Sequence, residues 1–202
     1  MKKSHVLILI TVAGLLTTPV FAKESFYAKI THAFTADSQT VPTEGSQEVA
    51  FSPKDGATEL VVKVIDSARQ SIRLAAYSFT SKPIPRALVD AHKRGVDVEV
   101  VVDKSQKSAR YTSATFLANM GLPVRVDSMH AIMHNKFIVV DGQDVENGSF
   151  NYTSAAENRN AENTLVNWNN PKLAAIYTAN WQVRIPRHPA THSTVIRPPV
   201  PR

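Results

Sequence analysis

Six polar or small residues stand at fixed spacing between residues 134 and 151, in the segment HNKFIVVDGQDVENGSFN. They supply an imidazole that can act as a nucleophile or acid–base catalyst, a fixed cation and a group of neutral hydrogen-bond donors. Such a set can hold a phosphate diester and break it without a metal ion. The six residues are His134, Lys136, Asp141, Gly148, Ser149 and Asn151.

The first half of this segment is predicted to be a β-strand over residues 133–140. The run FIVV is apolar and β-branched, and Asp141 with Gly142 is a turn signal. Side chains alternate across a strand, so His134 and Lys136 are expected on one face and Asp141 on the other. Asp141 is therefore expected to have a structural role more readily than a chemical one.

The second half is predicted to contain a turn at residues 147–149, where Gly148 would let the backbone approach a ligand closely. Ser149 and Asn151 are expected on a shared face, from which both can donate hydrogen bonds to phosphate oxygens. The run 154–157 fits a capping box and predicts a short helix, whose N-terminus would favour an anion.

This pattern resembles the HKD motif of the phospholipase D superfamily with its Gly-Ser-x-Asn element, and all six residues match. Residues 75–80, 93–98 and 161–163 are similar to the small secreted bacterial branch, the EDTA-resistant endonucleases. The resemblance covers roughly residues 48–185. It implies a metal-independent phosphodiesterase that uses no cofactor and forms a covalent phosphohistidine. It also implies a catalytic set of His134, Lys136, Asp141 and Glu162.

The resemblance further implies how the residues work. One histidine attacks phosphorus, and a second protonates the leaving oxygen and then activates the water that hydrolyses the phosphohistidine. Lys136 would neutralise the non-bridging oxygens, and Ser149 and Asn151 would fix their positions. A carboxylate usually orients such an imidazole, and Glu162 is the candidate by its place in the family pattern.

The chain contains one HKD motif, whereas this mechanism needs two histidines with opposite roles. His130 lies four residues before His134 but has no lysine partner, so it is a poor second half-site. A symmetric homodimer, with the two copies of His134 facing each other across the two-fold axis, would supply both histidines. The resemblance to the single-motif branch implies the same assembly.

The N-terminus has the three parts of a secretory signal peptide. Lys2 and Lys3 give a basic start, residues 6–16 an apolar run, and residues 20–22 a small-x-small cleavage site. The apolar run is short for a membrane span. Residues 1–22 are therefore predicted to be removed on export to the periplasm or beyond, without stable membrane insertion afterwards; an uncleaved anchor is the alternative.

The composition limits the kinds of metal site and the classes of binding partner that the chain can have. The chain has no cysteine, so it has no disulfide and no cysteine metal site, and we assign no metal to it. Its formal charge of +6 becomes +4 without Lys2 and Lys3, and no acidic residue follows Glu162. A basic chain favours a polyanion, and charge alone does not choose among DNA, RNA and an anionic lipid surface.

The 180 residues after the signal peptide have the size of one domain. We predict a polar arm over 23–47, a phospholipase D-like nuclease domain over 48–185 and a proline-rich basic tail over 186–202. Helices alternate with strands, which predicts an α/β fold with a mixed or largely parallel central sheet flanked by helices. Helices are predicted over 57–70, 83–94, 113–120 and 171–183, and strands over 72–79, 96–102, 123–126, 133–140 and 162–168.

These features favour an exported endonuclease of low sequence specificity that cuts DNA, with RNA left open, since no base-reading domain is predicted. A phospholipase or transphosphatidylase of the same superfamily is the alternative, because only the alcohol on the phosphate differs. A third hypothesis is a catalytically idle DNA-binding dimer, which the intact motif disfavours.

Overall fold

The computed structural model describes residues 38–107 and 112–183. The predicted signal peptide, most of the predicted arm and the proline-rich tail lie outside the described residues. The described residues from Val41 onward belong to one compact unit. The elements in chain order are β1 Ser46–Ser52, α1 Ala57–Ser67, β2 Ser71–Ala76, α2 Pro83–Lys93, β3 Asp97–Asp103, a 3₁₀ turn Lys104–Lys107, α3 Ser113–Asn119, β4 Val124–Asp127, β5 Lys136–Val140, β6 Asp144–Gly148, α4 Ser154–Asn158, β7 Glu162–Trp168 and α5 Pro171–Gln182.

The strands form one seven-stranded sheet in the order β1-β7-β6-β5-β2-β3-β4. Strands β2, β3 and β4 are parallel, and α2 and α3 are the crossovers that parallel neighbours require. The remaining pairings in this sheet are antiparallel. The predicted α/β fold with a mixed sheet is confirmed, although antiparallel pairings predominate over parallel ones.

Helices cover both faces of the sheet and give two apolar cores. The larger core lies under α1, α2 and α3, and the smaller one lies under α5, where Trp181 donates a hydrogen bond to the Leu74 carbonyl at 3.0 Å. Strand β5 sends Ile138 into the larger core and Phe137 into the smaller one. A strand buried on both faces favours apolar residues at successive positions, which explains the continuous run FIVV.

Strands β1 and β6 are not predicted by the sequence pattern. Strand β1 begins at Ser46, inside the stretch assigned to the polar arm. Strand β6 includes residues 147 and 148, so the prediction of a turn over 147–149 is wrong. The turn predicted at Asp141 and Gly142 is present, and the φ angles of these residues are 52° and 64°. An aspartate tolerates this left-handed conformation better than most residues with a side chain.

Two local predictions around the motif are also corrected. Strand β5 begins at Lys136, so His134 lies in the preceding loop and not on a strand face shared with Lys136. The short helix α4 is capped by Thr153, whose hydroxyl accepts from the Ala156 amide, and not by the predicted capping box. The carboxylate of Glu157 instead accepts from the backbone amide of Thr58 at 3.0 Å, which ties α4 to α1.

A glutamate, Glu146, is fully buried in the middle of β6. Its carboxylate accepts hydrogen bonds from the hydroxyl groups of Tyr152 at 2.6 Å and Thr164 at 2.5 Å. Burial raises the pKa of Glu146 to about 7, although both hydrogen bonds act to lower it. The folded protein therefore keeps a proton that the unfolded chain releases near the ordinary pKa of 4.5. The stability contributed by this proton is complete below pH 4.5 and is lost as pH rises through about 7.

Glu146→Gln is expected to remove this pH dependence, because glutamine keeps the shape of the side chain and cannot ionise. Between pH 5 and pH 8 the wild type should lose about 2–3 kcal/mol more of its free energy of unfolding than the variant. Urea unfolding of both proteins at the two pH values measures this difference. Parallel pH profiles would mean that Glu146 stays ionised in the folded protein.

Candidate active site

The candidate active site lies at one edge of the sheet, where β2, β3 and β4 end and β5 and β7 begin. Lys136 opens β5 and pairs with Ala76 at the end of β2. Gly148 closes β6 beside it, and Glu162 opens β7. The carboxyl edge of parallel strands is a common place for ligand sites in α/β sheets. The antiparallel strands bring the ends of the motif to this same edge.

His134 and Lys136 meet at this edge. The Lys136 Nζ lies 3.0 Å from His134 Nδ1, 3.3 Å from Nε2 and 2.8 Å from the His134 carbonyl oxygen, to which it donates. The imidazole is exposed and stacks at a tilt on Tyr77, with the ring centroids 4.4 Å apart. Lys136 and His134 are thus in direct contact, and the imidazole remains open to a ligand at this edge.

Lys136 is a buried cation, with 8% of its surface exposed. Burial lowers its pKa, and the nearby negative charge of Glu162 opposes that effect. Its Nζ also lies 5.2 Å from the centre of the Tyr77 ring. Lys136 thus holds a weakly solvated charge beside the imidazole, where it can act strongly on an incoming anion.

Glu162 lies near Lys136, and its carboxylate accepts a hydrogen bond from the Asn160 side chain at 3.1 Å. Within the described chain it makes no hydrogen bond to His134. In this geometry Glu162 acts electrostatically on Lys136. Among the described residues, the contact by which Glu162 is predicted to orient the imidazole is not made.

The Gly-Ser-x-Asn segment contacts the start of β7 at Asn163. The Ser149 hydroxyl accepts from the Asn163 amide at 3.1 Å. A Cβ added to Gly148 would lie 2.1 Å from the Asn163 carbonyl oxygen, so a side chain cannot fit there. The close approach of β7 therefore requires glycine at position 148, whatever ligand lies at this edge. The exposed Ser149 remains available to a ligand at this edge.

Asn151 carries a buried oxygen, Oδ1, which has no hydrogen-bond partner among the described residues. A buried polar atom without a partner is rare, and a ligand is one of the groups that can satisfy it. Rotation of the amide by about 180° would place its NH₂ donor at the same position. Asn151 can thus donate to a phosphate oxygen, as the motif predicts.

Asp141 is not part of this cluster. It lies beyond the far end of β5, about 17 Å of strand from Lys136. Its two oxygens accept hydrogen bonds from the backbone amides of Arg69, Gln70 and Ser71, each at 2.8 Å. The placement of Asp141 in the catalytic set is therefore corrected, and its structural role agrees with the strand-face argument.

Asp141→Ala is expected to lower the free energy of unfolding by about 2–4 kcal/mol, because three backbone amides lose a charged acceptor. The turnover of the folded fraction should not change. Urea unfolding together with kcat at low temperature separates the two effects. Asp141→Asn is the matched control, since it keeps an acceptor and tolerates the positive φ, so its loss should be smaller. A stable Asp141→Ala protein with kcat reduced 100-fold would restore Asp141 to the catalytic set.

The loop before His134 is held by two aspartates that the motif does not predict. Asp103, at the end of β3, accepts from the Met133 amide at 2.8 Å, and Asp127, at the end of β4, accepts from the Met129 amide at 2.9 Å. Asp127 also contacts His130 Nδ1 at 2.8 Å, so the partner of His130 is an aspartate and not a lysine. Burial opposes ionisation of Asp103, but its hydrogen bonds and a neighbouring lysine bring its pKa below the ordinary value. Asp103 and Asp127 lie at the carboxyl ends of neighbouring parallel strands. Because ligand sites are common at this edge of a sheet, that position could have predicted both residues from the sequence.

Within residues 38–107 and 112–183, no three histidine, aspartate or glutamate side chains are grouped closely enough to hold a metal ion. No helix in these residues is long and apolar enough to cross a membrane. Lys136 is the cation that the structure places beside His134.

Residues 61–183 match the family model described as cardiolipin synthase, PLD-like domain. The chain belongs to the phospholipase D superfamily. This membership confirms the predicted resemblance and the prediction of a hydrolytic phosphodiesterase. Among curated proteins, "Phospholipase D" of Rickettsia bellii is 38% identical over 138 residues, which are 68% of each chain. "Mitochondrial cardiolipin hydrolase" of Xenopus tropicalis is 35% identical over 112 residues, and these span 53% of its length.

Two solved structures share this fold. The phospholipase D family member Nuc from Salmonella typhimurium is 49% identical, with a TM-score of 0.68 over 70% of this chain and 94% of that one. NucT from Helicobacter pylori is 21% identical, with a TM-score of 0.61 over 74% of this chain and 99% of that one. At that identity, the likeness to NucT shows the shared phospholipase D-like fold alone.

Proposed function

We propose that this protein is an exported, metal-independent endonuclease that hydrolyses phosphodiester bonds in DNA with low sequence specificity, with RNA left open as a second substrate. The observation that carries the proposal is the exposed imidazole of His134 beside the buried ammonium of Lys136, at an open edge of the sheet. A polymer backbone can reach such an edge, and contacts with phosphates carry no base information. The basic charge of the chain favours the same polyanionic substrate.

The proposed reaction has two steps. First, a ring nitrogen of His134 attacks phosphorus in line, so that a P–N bond forms as the bond from phosphorus to the leaving oxygen breaks. A second histidine gives that oxygen its proton. Next, the second histidine takes a proton from water, whose oxygen attacks phosphorus and releases His134. Lys136, Ser149 and Asn151 stabilise the charged oxygens in both steps.

The second histidine is proposed to be the His134 of a partner subunit in a symmetric homodimer. Each chain contributes one histidine and lysine pair, and an active site on the two-fold axis would contain two such pairs. The loop before His134 carries the exposed apolar side chains Met129 and Ile132, which are 68% and 59% exposed. A partner subunit at this edge would cover them.

Mixing with inactive subunits tests this assembly. When wild-type protein exchanges subunits with a ninefold excess of His134→Ala, only about one tenth of the wild-type chains meet another wild-type chain. Activity per wild-type chain should then fall to about one tenth of its unmixed value. Activity that stays proportional to the wild-type chain present would mean that each chain carries a complete site.

Export is part of the proposal, because residues 1–22 have the composition of a signal peptide. The mature protein is then expected in the periplasm or medium, starting at Lys23. N-terminal sequencing of the protein from those fractions checks this start. A chain that retains residues 1–22 in the membrane fraction would contradict it.

A phospholipase is the second candidate, and the same exposed Met129 and Ile132 favour it, since apolar side chains beside the site could contact a lipid surface. The names of the curated relatives, phospholipase D and cardiolipin hydrolase, point to the same class of substrate. Assays of one preparation on single-stranded oligonucleotides, duplex DNA and vesicles of cardiolipin or phosphatidylcholine compare the two functions. Hydrolysis of nucleic acid that His134→Ala abolishes supports the nuclease, whereas hydrolysis of the vesicles alone would replace it.

A further inference from the structure

A groove of about 500 Å³ lies between the start of α2 and the start of α3. None of its lining residues belongs to the HKD motif or to the Gly-Ser-x-Asn segment. The described lining contains two cations, several hydroxyl groups, an amide and an aromatic ring, and no carboxylate. Its charged, polar and aromatic lining residues include Lys82, Arg86, Thr112, Thr115, Phe116 and Asn119.

The two cations of the groove are not neutralised by the described part of the chain. Lys82 and Arg86 are both exposed, and neither forms an ion pair with a described residue. By contrast, the exposed Lys63 pairs with a glutamate at 2.8 Å and the exposed Lys93 with an aspartate at 3.4 Å. The groove therefore concentrates positive charge without a counter-charge, which attracts an anion.

The aromatic ring of the groove belongs to Phe116, which is 41% exposed on α3. Helix α3 is held in place at this end, since the Thr112 hydroxyl accepts from the Thr115 amide at 3.2 Å. An exposed ring beside cations and hydroxyl groups is the combination by which proteins hold single-stranded nucleic acid. The ring stacks on a base, and the cations follow the phosphates.

The groove is also connected to the catalytic segment. Tyr77, whose ring contacts His134, is three residues from Thr80 in the lining of the groove, a chain distance of about 10 Å at most. The amides of Thr80 and Ser81 donate to the Tyr152 carbonyl at 3.0 Å and 2.8 Å, next to Asn151. At about 3.4 Å per nucleotide along a stacked strand, about three nucleotides span the distance to this near end of the groove.

We propose that this groove is a nucleic-acid subsite, in which Lys82 and Arg86 bind phosphates a few nucleotides from the scissile bond and Phe116 stacks on a base. The base must be unpaired to stack on the ring, so the subsite takes a single-stranded segment. The inference rests on the proposed nuclease function and adds the place where the rest of the strand is held.

The test compares a long substrate with a minimal one. Lys82→Gln with Arg86→Gln, and separately Phe116→Ala, are assayed on a 12-nucleotide single strand and on bis(p-nitrophenyl) phosphate, which is too small to reach the groove. Catalytic efficiency on the oligonucleotide should fall about 5- to 100-fold for Phe116→Ala and at least as much for the double variant. Efficiency on the small diester should not change. The double variant should also lower the salt dependence of oligonucleotide binding by a slope of about 1.4.

The matched control is Lys63→Gln with Lys93→Gln, which removes the same charge from exposed lysines outside the groove. If the groove variants behave like this control while the wild type cuts the oligonucleotide, the subsite proposal is wrong and the nuclease proposal stands. An equal loss on both substrates also overturns the subsite, because it would place the damage at the reacting phosphate. If the wild type cuts the small diester but no nucleic acid, the proposed function itself fails, and the subsite fails with it.

Discussion

Lys136→Met is expected to lower kcat on a phosphodiester about 100- to 10,000-fold. Loss of one neutral donor to a developing oxyanion costs about 100- to 1,000-fold, and Lys136 supplies a full charge from a buried position. Its Nζ lies 3.0 Å from His134 Nδ1, so the charge is placed where the attacked phosphate must sit. Methionine fills a similar volume against Tyr77 and cannot supply the charge.

The measurement is kcat and KM on bis(p-nitrophenyl) phosphate, with Lys136→Arg as the matched control. Arginine keeps the charge but has a planar group in place of a compact ammonium, so it should recover only part of the rate. Because burial lowers the pKa of Lys136, the wild-type rate should decline on the alkaline side at a lower pH than an ordinary lysine would give. Methionine at this position with more than one tenth of the wild-type kcat would show that Lys136 does not act on the phosphate.

His134→Gly is expected to reduce turnover by about 10⁵-fold or more, because removal of a covalent nucleophile leaves only binding and charge stabilisation. Affinity for an oligonucleotide should stay within about threefold, since the exposed imidazole attacks the phosphate and is not needed to hold the strand. Fluorescence anisotropy measures the binding, and product formation measures the rate.

Free imidazole supplies a sharper control for the same variant. It fits the space left by the missing side chain and should restore part of the activity of His134→Gly, but not that of Lys136→Met. An idle DNA-binding protein would show neither the loss nor the rescue. Loss of binding in step with loss of rate would make His134 a binding residue and contradict its role as nucleophile.

The sequence predicts elements well where strong local signals bound them. Helix α2 starts at Pro83 as predicted and ends before Gly95, and β7 has the predicted bounds, Glu162–Trp168. Strand β6 reads Asp-Val-Glu-Asn-Gly and has no strand signal. Its glutamate is buried only because hydroxyl groups of Tyr152 and Thr164 meet it from other elements, which no local pattern contains.

In the candidate site, too, the local sequence predicts some features and not the contacts made by distant elements. The spacing of the motif is sufficient to predict that His134 and Lys136 meet, yet the reason differs, since His134 lies in a loop before β5. Contacts with Tyr77 and Asp103 come from elements distant in sequence, so spacing within the motif does not contain them. Gly148 shows a further limit, because a glycine that lets a strand approach and one that lets a ligand approach look alike in sequence.

The most direct test of the account is cleavage of supercoiled plasmid DNA by the purified mature protein in excess EDTA, beside His134→Ala. We expect the wild type to nick the plasmid at an undiminished rate in the chelator and the variant to leave it intact. Complete inhibition by EDTA would contradict the metal-independent phosphohistidine mechanism. Failure of the wild type to nick DNA with or without EDTA would contradict the nuclease itself.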